Sequence, residues 1–529
     1  MVQTFEEITK GVVNRFLQNI LFIDDKAYKL DNKNYSFDAN QISSAFAKSG
    51  KLCTIFAPSS ECDICQCSSL FAKADVFVLD WFLDLEAKNS TDNDEADAEI
   101  DEPRGFYTRH LIEEIIDDAK DEKLKLIIVY TGETDLDGIT ESIYKTAKQY
   151  GNYVLGDCCV FTSNILILIR AKYNGEEQFK HLESLKSKVV RYEELPDFIT
   201  SEFAKFSDGL LSNFALLAIS CIREQTSKIL GVYSNDTDYA YLGHRVLLNN
   251  QRDAYQLLIK LFGESMSDLI SSSIPKKDEW VFSWVDSRFA KSKTIMIGGK
   301  NISVDSNSLK YLLSDGEEAY KEKIMRIFNG KLSVKEAVKN SSCLFSVDEA
   351  SANNSNAKFA ILTHHKNIFG VSKEHPILTL GTVVFNSGNY YVCIQQRCDS
   401  LRLKDERKFL FLPLLNTDSD IHVVIDKSNH LNVANNSYAL KTIKFKPKNG
   451  EDCIYAKTVE NNGKKRFFFE SIYGEEYEWL LELKELHAQR IVDAYCSTLS
   501  RVGIDESEWL RLCKFKIEVQ FSGRGKDKI

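Results

Sequence analysis

No uncharged apolar stretch in this sequence reaches the ~18 to 20 residues that crossing a bilayer requires. The best candidate, Leu210–Ile222, is interrupted by Ser212 and Asn213 and stops at Arg223. A basic-then-apolar leader is also missing, because the chain starts Met1-Val2-Gln3-Thr4-Phe5-Glu6-Glu7; a cytoplasmic location without a membrane partner is the expectation. Positive charge is not in excess: 67 Lys and Arg stand against 77 Asp and Glu, a net charge of −10, which argues against a broad nucleic-acid-binding surface. Walker A loop, GxSxG elbow and HExxH helix are all absent, so the common NTPase, hydrolase and zincin readings lose support. The 13 cysteines, in a chain with no export signal, read as reduced thiols rather than a disulfide framework. Cys62, Cys65 and Cys67 begin a metal-like spacing, but no second CxxC follows and no histidine lies between Cys67 and His110. Structural zinc wants four ligands and is not expected there.

What is present is informative mainly in the first third. Three apolar runs each close on small polar residues: Asn19–Ile23 on Asp24 and Asp25, Val76–Leu79 on Asp80, and Leu126–Tyr130 on Thr131. Continuous Val/Ile/Leu/Phe runs are the mark of buried parallel strands, and ligands of doubly wound sheets bind beyond the strands' carboxyl ends. Three carboxylates and a hydroxyl are therefore expected on one edge. Such acids repel one another unless a proton or a divalent cation joins them, and a Mg2+-binding pocket of Asp24, Asp25 and Asp80 is the economical reading.

The length of 529 residues favours roughly three domains of ~150 residues each. Residues 1–185 alternate strand and helix signals, with strands at Leu21–Ile23, Leu52–Phe56, Val76–Leu79, Leu126–Tyr130 and Ile165–Ile169, which predicts an α/β doubly wound, flavodoxin-like domain. Within it, Ala87–Glu102 holds seven Asp or Glu and one Lys and reads as a solvated loop. Residues 186–345 change to helical periods and read as an all-α domain, in which Asp238–Arg245 joins two helices. Residues 346–472 drop to a period of two, with a hairpin at Gly381–Ile394 and a strand Phe409–Leu412 ahead of Pro413, and read as a small β-rich, barrel-like domain. Residues 473–529 read as a C-terminal helical segment, with a long helix Glu475–Leu499 and a last helix capped by Asp505 and Glu508.

On those residues the first domain resembles the receiver domain of two-component response regulators. Asp24 and Asp25 match the family's acidic pair, Asp80 in Val78-Leu79-Asp80-Trp81 its phosphoacceptor, and Thr131 before Gly132 its hydroxyl. Lys172, two residues later than the end of the fifth strand would place it, is the nearest match to its lysine. The resemblance implies Mg2+ held by Asp24 or Asp25, Asp80 and the carbonyl of Phe82, an aspartyl phosphate at Asp80, and Lys172 and Thr131 as holders of the new oxygens. Any enzymatic activity is then at most self-phosphorylation or autodephosphorylation at Asp80. The chain departs from the family in having Asp84 where a proline is usual, no aromatic residue on strand five just before the lysine, and the acidic loop.

The whole chain resembles large bacterial proteins with a divergent response-receiver domain. The resemblance is carried by Tyr391–Asp399, Leu486–Arg490 and Leu499–Gly503. That kinship implies a histidine-kinase-like ATPase as partner and a role in defence against phage. A homodimer is a further expectation; nucleic acid, touched by the basic positions Arg511, Lys514, Lys516, Arg524, Lys526 and Lys528, is the less favoured partner. The alternative to the switch is a pseudo-receiver scaffold that docks a protein or nucleic acid without phosphate chemistry. His364-His365-Lys366 and His375 invite a metal reading, but adjacent histidines on a strand point to opposite faces and no carboxylate is spaced to join them.

Overall fold

The computed structural model describes residues 3–28, 38–85, 104–119, 123–173, 183–248, 251–274, 278–314, 316, 318–370, 375–417, 421–426, 428–434, 436–448, 450–461 and 464–499. The chain divides into two compact units, Met1–Ala290 and Lys291–Ile529.

The first unit starts with helix α1 (Phe5–Phe16), whose N-terminus is closed by a reciprocal capping box between Thr4 and Glu7. The strands β1 (Asn19–Ile23), β2 (Leu52–Phe56), β3 (Val76–Leu79) and β4 (Lys125–Thr131) alternate with helices α2 (Ala39–Lys48), α3 (Glu61–Phe71) and α4 (Phe106–Asp118). Helix α5 (Leu136–Ala147), a hairpin β5 (Val154–Gly156) and β6 (Cys159–Phe161), strand β7 (Ile165–Lys172), a turn of helix α6 (Glu183–Lys186) and β8 (Val189–Val190) follow. The rest is helical: α7 (Leu195–Phe206), α8 (Leu210–Glu224), α9 (Thr226–Val232), α10 (Asp238–Leu247), α11 (Gln251–Ser273) and α12 (Glu279–Arg288). The parallel strands run in the order β2-β1-β3-β4-β7, the flavodoxin-like arrangement. Every residue of β3 and β4 is buried, which explains why their sequences carry no polar alternation.

Helices cover both faces of this sheet. On one face Ile64, Phe71, Leu111, Ile115, Ile139 and Ile143 of α3, α4 and α5 meet Leu21, Phe77 and Ile127. On the other, Val13, Phe46, Ile199, Phe203, Leu216 and Cys221 of α1, α2, α7 and α8 meet Phe22, Val78 and Ile128. The helices after residue 186 thus share a core with the sheet, and α7 is one of its covering layers.

Strand β7 is longer than the apolar run Ile165–Ile169 suggests. Its first half pairs antiparallel with β6 and its last two residues, Ala171 and Lys172, pair parallel with β8. Pairing with β4 as far as Ala171 and with β8 at Ala171 and Lys172 extends the strand and removes the gap between lysine and strand end. Asp238–Arg245 is itself helical, within α10, rather than a connection.

The second unit opens with a hairpin, Lys293–Ile297 against Lys300–Val304, in a stretch expected to be purely helical. Helices Ser306–Leu313, Tyr320–Phe328, Val334–Lys339 and Glu349–His364 precede a nine-stranded antiparallel sheet. The hairpin Thr382–Asn386 and Asn389–Cys393 forms as its turn residues predict, with Ser387 and Gly388 both at positive φ (47° and 83°). The strand expected to stop before Pro413 instead runs from Arg407 to Asn416, with Pro413 facing Tyr391 across the pair. In place of a closed barrel, the sheet order has two end strands, Val423–Val424 and Lys457–Asn461, that do not pair with each other among the described residues.

A second correction concerns Glu475–Leu499. Its first part is a strand, Glu476–Glu482, hydrogen-bonded to Thr382–Phe385 on one side and Phe468–Glu470 on the other, and the helix is Glu485–Leu499. Trp479, Leu480, Leu483 and Leu486 fit a helical stripe while Tyr477, Trp479 and Leu481 fit a period of two, and strand partners on both sides decide the matter. The acidic loop Ala87–Glu102, the helix after Asp505 and the basic tail lie outside the described residues. Among the described residues no helix is long and apolar enough to cross a membrane.

Candidate functional site

Strand register assembles the site. Ile23 pairs with Leu79, Leu79 with Val129, and Thr131 with Ala171. Asp24 and Asp25 after β1, Asp80 after β3, Thr131 at the end of β4 and Lys172 at the end of β7 therefore leave the sheet along one edge. All five are buried, Asp24 and Thr131 to 1 % exposure and Lys172 to 8 %. The backbone holds the edge in place: Asp80 N donates to Ile23 O (2.9 Å) and Asp24 N to Phe56 O (3.1 Å).

One oxygen from each of Asp24, Asp25 and Asp80 lies within 4.8 Å of the other two. Lys172 Nζ donates to Asp24 Oδ2 and to Asp80 Oδ1, both at 2.7 Å, and so ties two of the three carboxylates. Burial pushes the Asp80 carboxyl up to about 6, with the Asp24 charge adding to the rise and the Lys172 ammonium opposing it. Burial pushes Lys172 down, but Asp80 and Asp24 outweigh it and hold the lysine above its ordinary value. Three acids against the one lysine that bonds them leave the buried cluster with an excess of negative charge. Two carboxylates 4.8 Å apart repel by about 3 kcal/mol at an effective dielectric near 20. The cluster therefore favours an added positive charge, and its donors are hard oxygens of the type Mg2+ accepts.

Thr131 Oγ1 accepts a hydrogen bond from Glu133 N (3.1 Å), which turns the loop after β4 back over the edge. Asp84, where a proline is usual, is exposed after the buried Leu83. Arg170 stands before the lysine on β7 in place of an aromatic residue. Its guanidinium lies over the Phe198 ring of α7 (5.2 Å) and donates to Ile169 O (2.7 Å) and Cys158 O (3.3 Å).

The structure adds residues that no strand-end pattern singles out. Thr108, in the first turn of α4, donates to Asp80 O (2.6 Å) or to Trp81 O (3.0 Å) and anchors the backbone directly after β3. Below the lysine lies Tyr130, whose ring centroid is 5.9 Å from Lys172 Nζ and whose hydroxyl donates to Val190 O of β8 (2.6 Å). Tyr130 meets Tyr192 edge to face at 5.9 Å. Tyr130 is invisible as a site residue in the sequence because it reads as one more apolar position of β4.

The other candidates form no comparable cluster. His364 ends a helix rather than lying on a strand, and its ring stacks on His487 at 3.7 Å. His365 Nε2 bonds to Val424 O (2.6 Å), and His375 Nδ1 to Thr458 Oγ1 (3.0 Å). Cys62, Cys65 and Cys398 are exposed thiols. Among the described residues Asp24, Asp25 and Asp80 are the one group of three acidic, His or Cys side chains close enough to share an ion.

Residues 16–177 match a protein-family model described as the response receiver domain. No curated protein and no solved structure matches the chain. The matched span contains all five edge residues and stops before α7.

Proposed function

We propose that this chain, whose residues 16–177 match the response receiver domain, acts in response-regulator-like signalling as a phosphorylation-controlled switch with Asp80 as phosphoacceptor. The observation that carries this is the buried meeting of Asp80 with Asp24, Asp25 and Lys172 at one sheet edge. Asp24, Asp25 and Asp80 would hold Mg2+. When bound, the ion supplies charge neutralisation between the carboxylate and an incoming phosphoryl group.

The chain's own residues do the rest. Asp80, ionised above about pH 6, attacks phosphorus. Its oxygen–phosphorus bond forms as the donor's bond to phosphorus breaks, and the electron pair leaves with the donor. Lys172 keeps its bond to Asp24 and transfers its second one from the Asp80 carboxylate to a phosphoryl oxygen. Thr131, accepting from Glu133 N, still has its hydroxyl proton to donate, and engaging a phosphoryl oxygen draws the loop after β4 inward.

The phosphoryl donor in this reading is a histidine-kinase-like ATPase partner, and the chain's own catalysis is confined to gain or loss of phosphate at Asp80. A setting in defence against phage rests on the likeness of the whole chain rather than on the site.

The test is thermal unfolding of the purified chain with Mg2+ and beryllium fluoride, which mimics a phosphoryl group. The expected result is a stability gain that Asp80→Ala loses while the variant keeps its far-UV circular dichroism. No gain in the unaltered chain overturns the switch. A phage-challenge assay in the native operon separates the scaffold alternative, in which Asp80→Ala leaves protection intact.

A further inference from the structure

Helices α8 to α11 carry more apolar surface than a free protein keeps. Between Leu211 and Phe262, 14 large apolar side chains are more than a third exposed. At roughly 60–100 Å² of apolar surface each, this is on the order of 1,000 Å². The largest patch on an ordinary monomer is about 300–600 Å².

The excess is organised. Tyr239, Leu242 and Val246 stand at i, i+3 and i+7 of α10, one stripe of the helix, yet Tyr239 is 81 % and Val246 83 % exposed. An amphipathic stripe of that spacing normally faces a core. In α11, Ile259 and Phe262 are exposed on one side and Leu257 and Leu261 on another, the pattern of a helix buried from more than one direction. These helices are packed rather than splayed. The inner positions Leu216, Leu217 and Cys221 of α8 join the sheet core, and Tyr233 after α9 meets the Phe262 ring at 5.7 Å while its hydroxyl lies 2.9 Å from Ser265 Oγ.

We propose that the exposed face of α8 to α11 docks a second copy of this chain. A stable interface buries about 800 Å² on each partner, and the exposed apolar side chains of α8 to α11 together offer an area of that order. Its charge argues for a self-match: residues 210–274 contain five Lys or Arg and six Asp or Glu. A nucleic acid or an anionic lipid surface selects a basic face, and a strongly charged protein selects the opposite sign. A nearly balanced apolar face opposes neither itself nor a two-fold related copy, and a two-fold pairing closes it. The inference is independent of phosphorylation at Asp80.

The experiment is multi-angle light scattering and sedimentation equilibrium of the full chain at micromolar concentrations. The expected mass is twice the 60.3 kDa of one chain. The double variant Tyr239→Lys, Val246→Lys should sediment as a single chain with unchanged far-UV circular dichroism. Leu230→Arg on the neighbouring helix α9 provides a second variant should that one fail to fold. Tyr438→Ser, an exposed aromatic of the other unit, should remain dimeric. A single-chain mass for the unaltered protein at tens of micromolar overturns the proposal, whether the face is covered by the rest of the chain or by another protein. Folded α9 or α10 variants that stay dimeric overturn it equally.

Discussion

Lys172 determines whether the acidic edge can exist in the absence of a metal ion. It is buried and forms charge-assisted bonds of 2.7 Å to Asp24 and Asp80. Removing one partner of such a buried group typically costs about 3–5 kcal/mol, because the remaining charges stay buried without compensation. Lys172→Met is therefore expected to lower the unfolding free energy by about that amount above neutral pH. The sign with pH follows from Asp80. Its folded pKa of about 6 lies above its ordinary value, so the folded site holds a proton that the unfolded chain has already released between those two values. Without the lysine that pKa rises further, and the proton taken up at acid pH removes part of the repulsion. The deficit in urea unfolding should thus be largest well above pH 6 and shrink as pH falls through and below it. An equal deficit at both ends of the range would mean that the lysine acts by packing rather than by charge.

At the scale of the element, the turn entering α4 couples the acceptor residue to the helix that follows the acidic loop. Gly105 precedes the helix with φ of 80°, and a Cβ there would lie 2.2 Å from Trp81 Cζ2. Trp81 is buried and directly follows Asp80. A left-handed conformation costs an L residue about 1–2 kcal/mol, and forcing atoms into a packed core adds about 1–3 kcal/mol. Gly105→Ala is expected to destabilise the chain by about 2–5 kcal/mol and, since the indole must shift, to weaken the response to Mg2+ and beryllium fluoride. Urea unfolding and the thermal assay measure the two effects. The same scale shows where local pattern misleads. Trp479, Leu480, Leu483 and Leu486 make a helical stripe and Tyr477, Trp479 and Leu481 an alternating strand, and the neighbouring strands on both sides select the second. The short β5, β6 and β8 escape recognition because two or three residues carry no period.

At the scale of the whole molecule, the matched span and the cooperative unit differ in extent. The match stops at residue 177, whereas Ile199 and Phe203 of α7 and Leu216 and Cys221 of α8 belong to the same core as Phe22 and Ile128. A fragment ending at residue 185 would leave the part of that face under α7 and α8 open to water. It is expected to aggregate or to lack a cooperative transition, while residues 1–290 are expected to unfold cooperatively and to keep the Mg2+ response. Differential scanning calorimetry of the two fragments decides this, and a well-folded 1–185 fragment would show that α7 and α8 only decorate the sheet.

The sequence by itself determined the five parallel strands and four of the five edge residues. A buried parallel strand must be continuously apolar, and the first polar residue after it marks the edge where ligands bind. Asp24, Asp25, Asp80 and Thr131 were legible for that reason. The place of Lys172 was decided by tertiary structure, because pairing with β4 as far as Ala171 and with β8 at Ala171 and Lys172 carries β7 onward to it. So were the extent of the first unit and the exposure of α8 to α11. An apolar position says only that a residue seeks cover, and whether the cover is the sheet, a neighbouring helix or nothing within the chain depends on contacts distant in sequence.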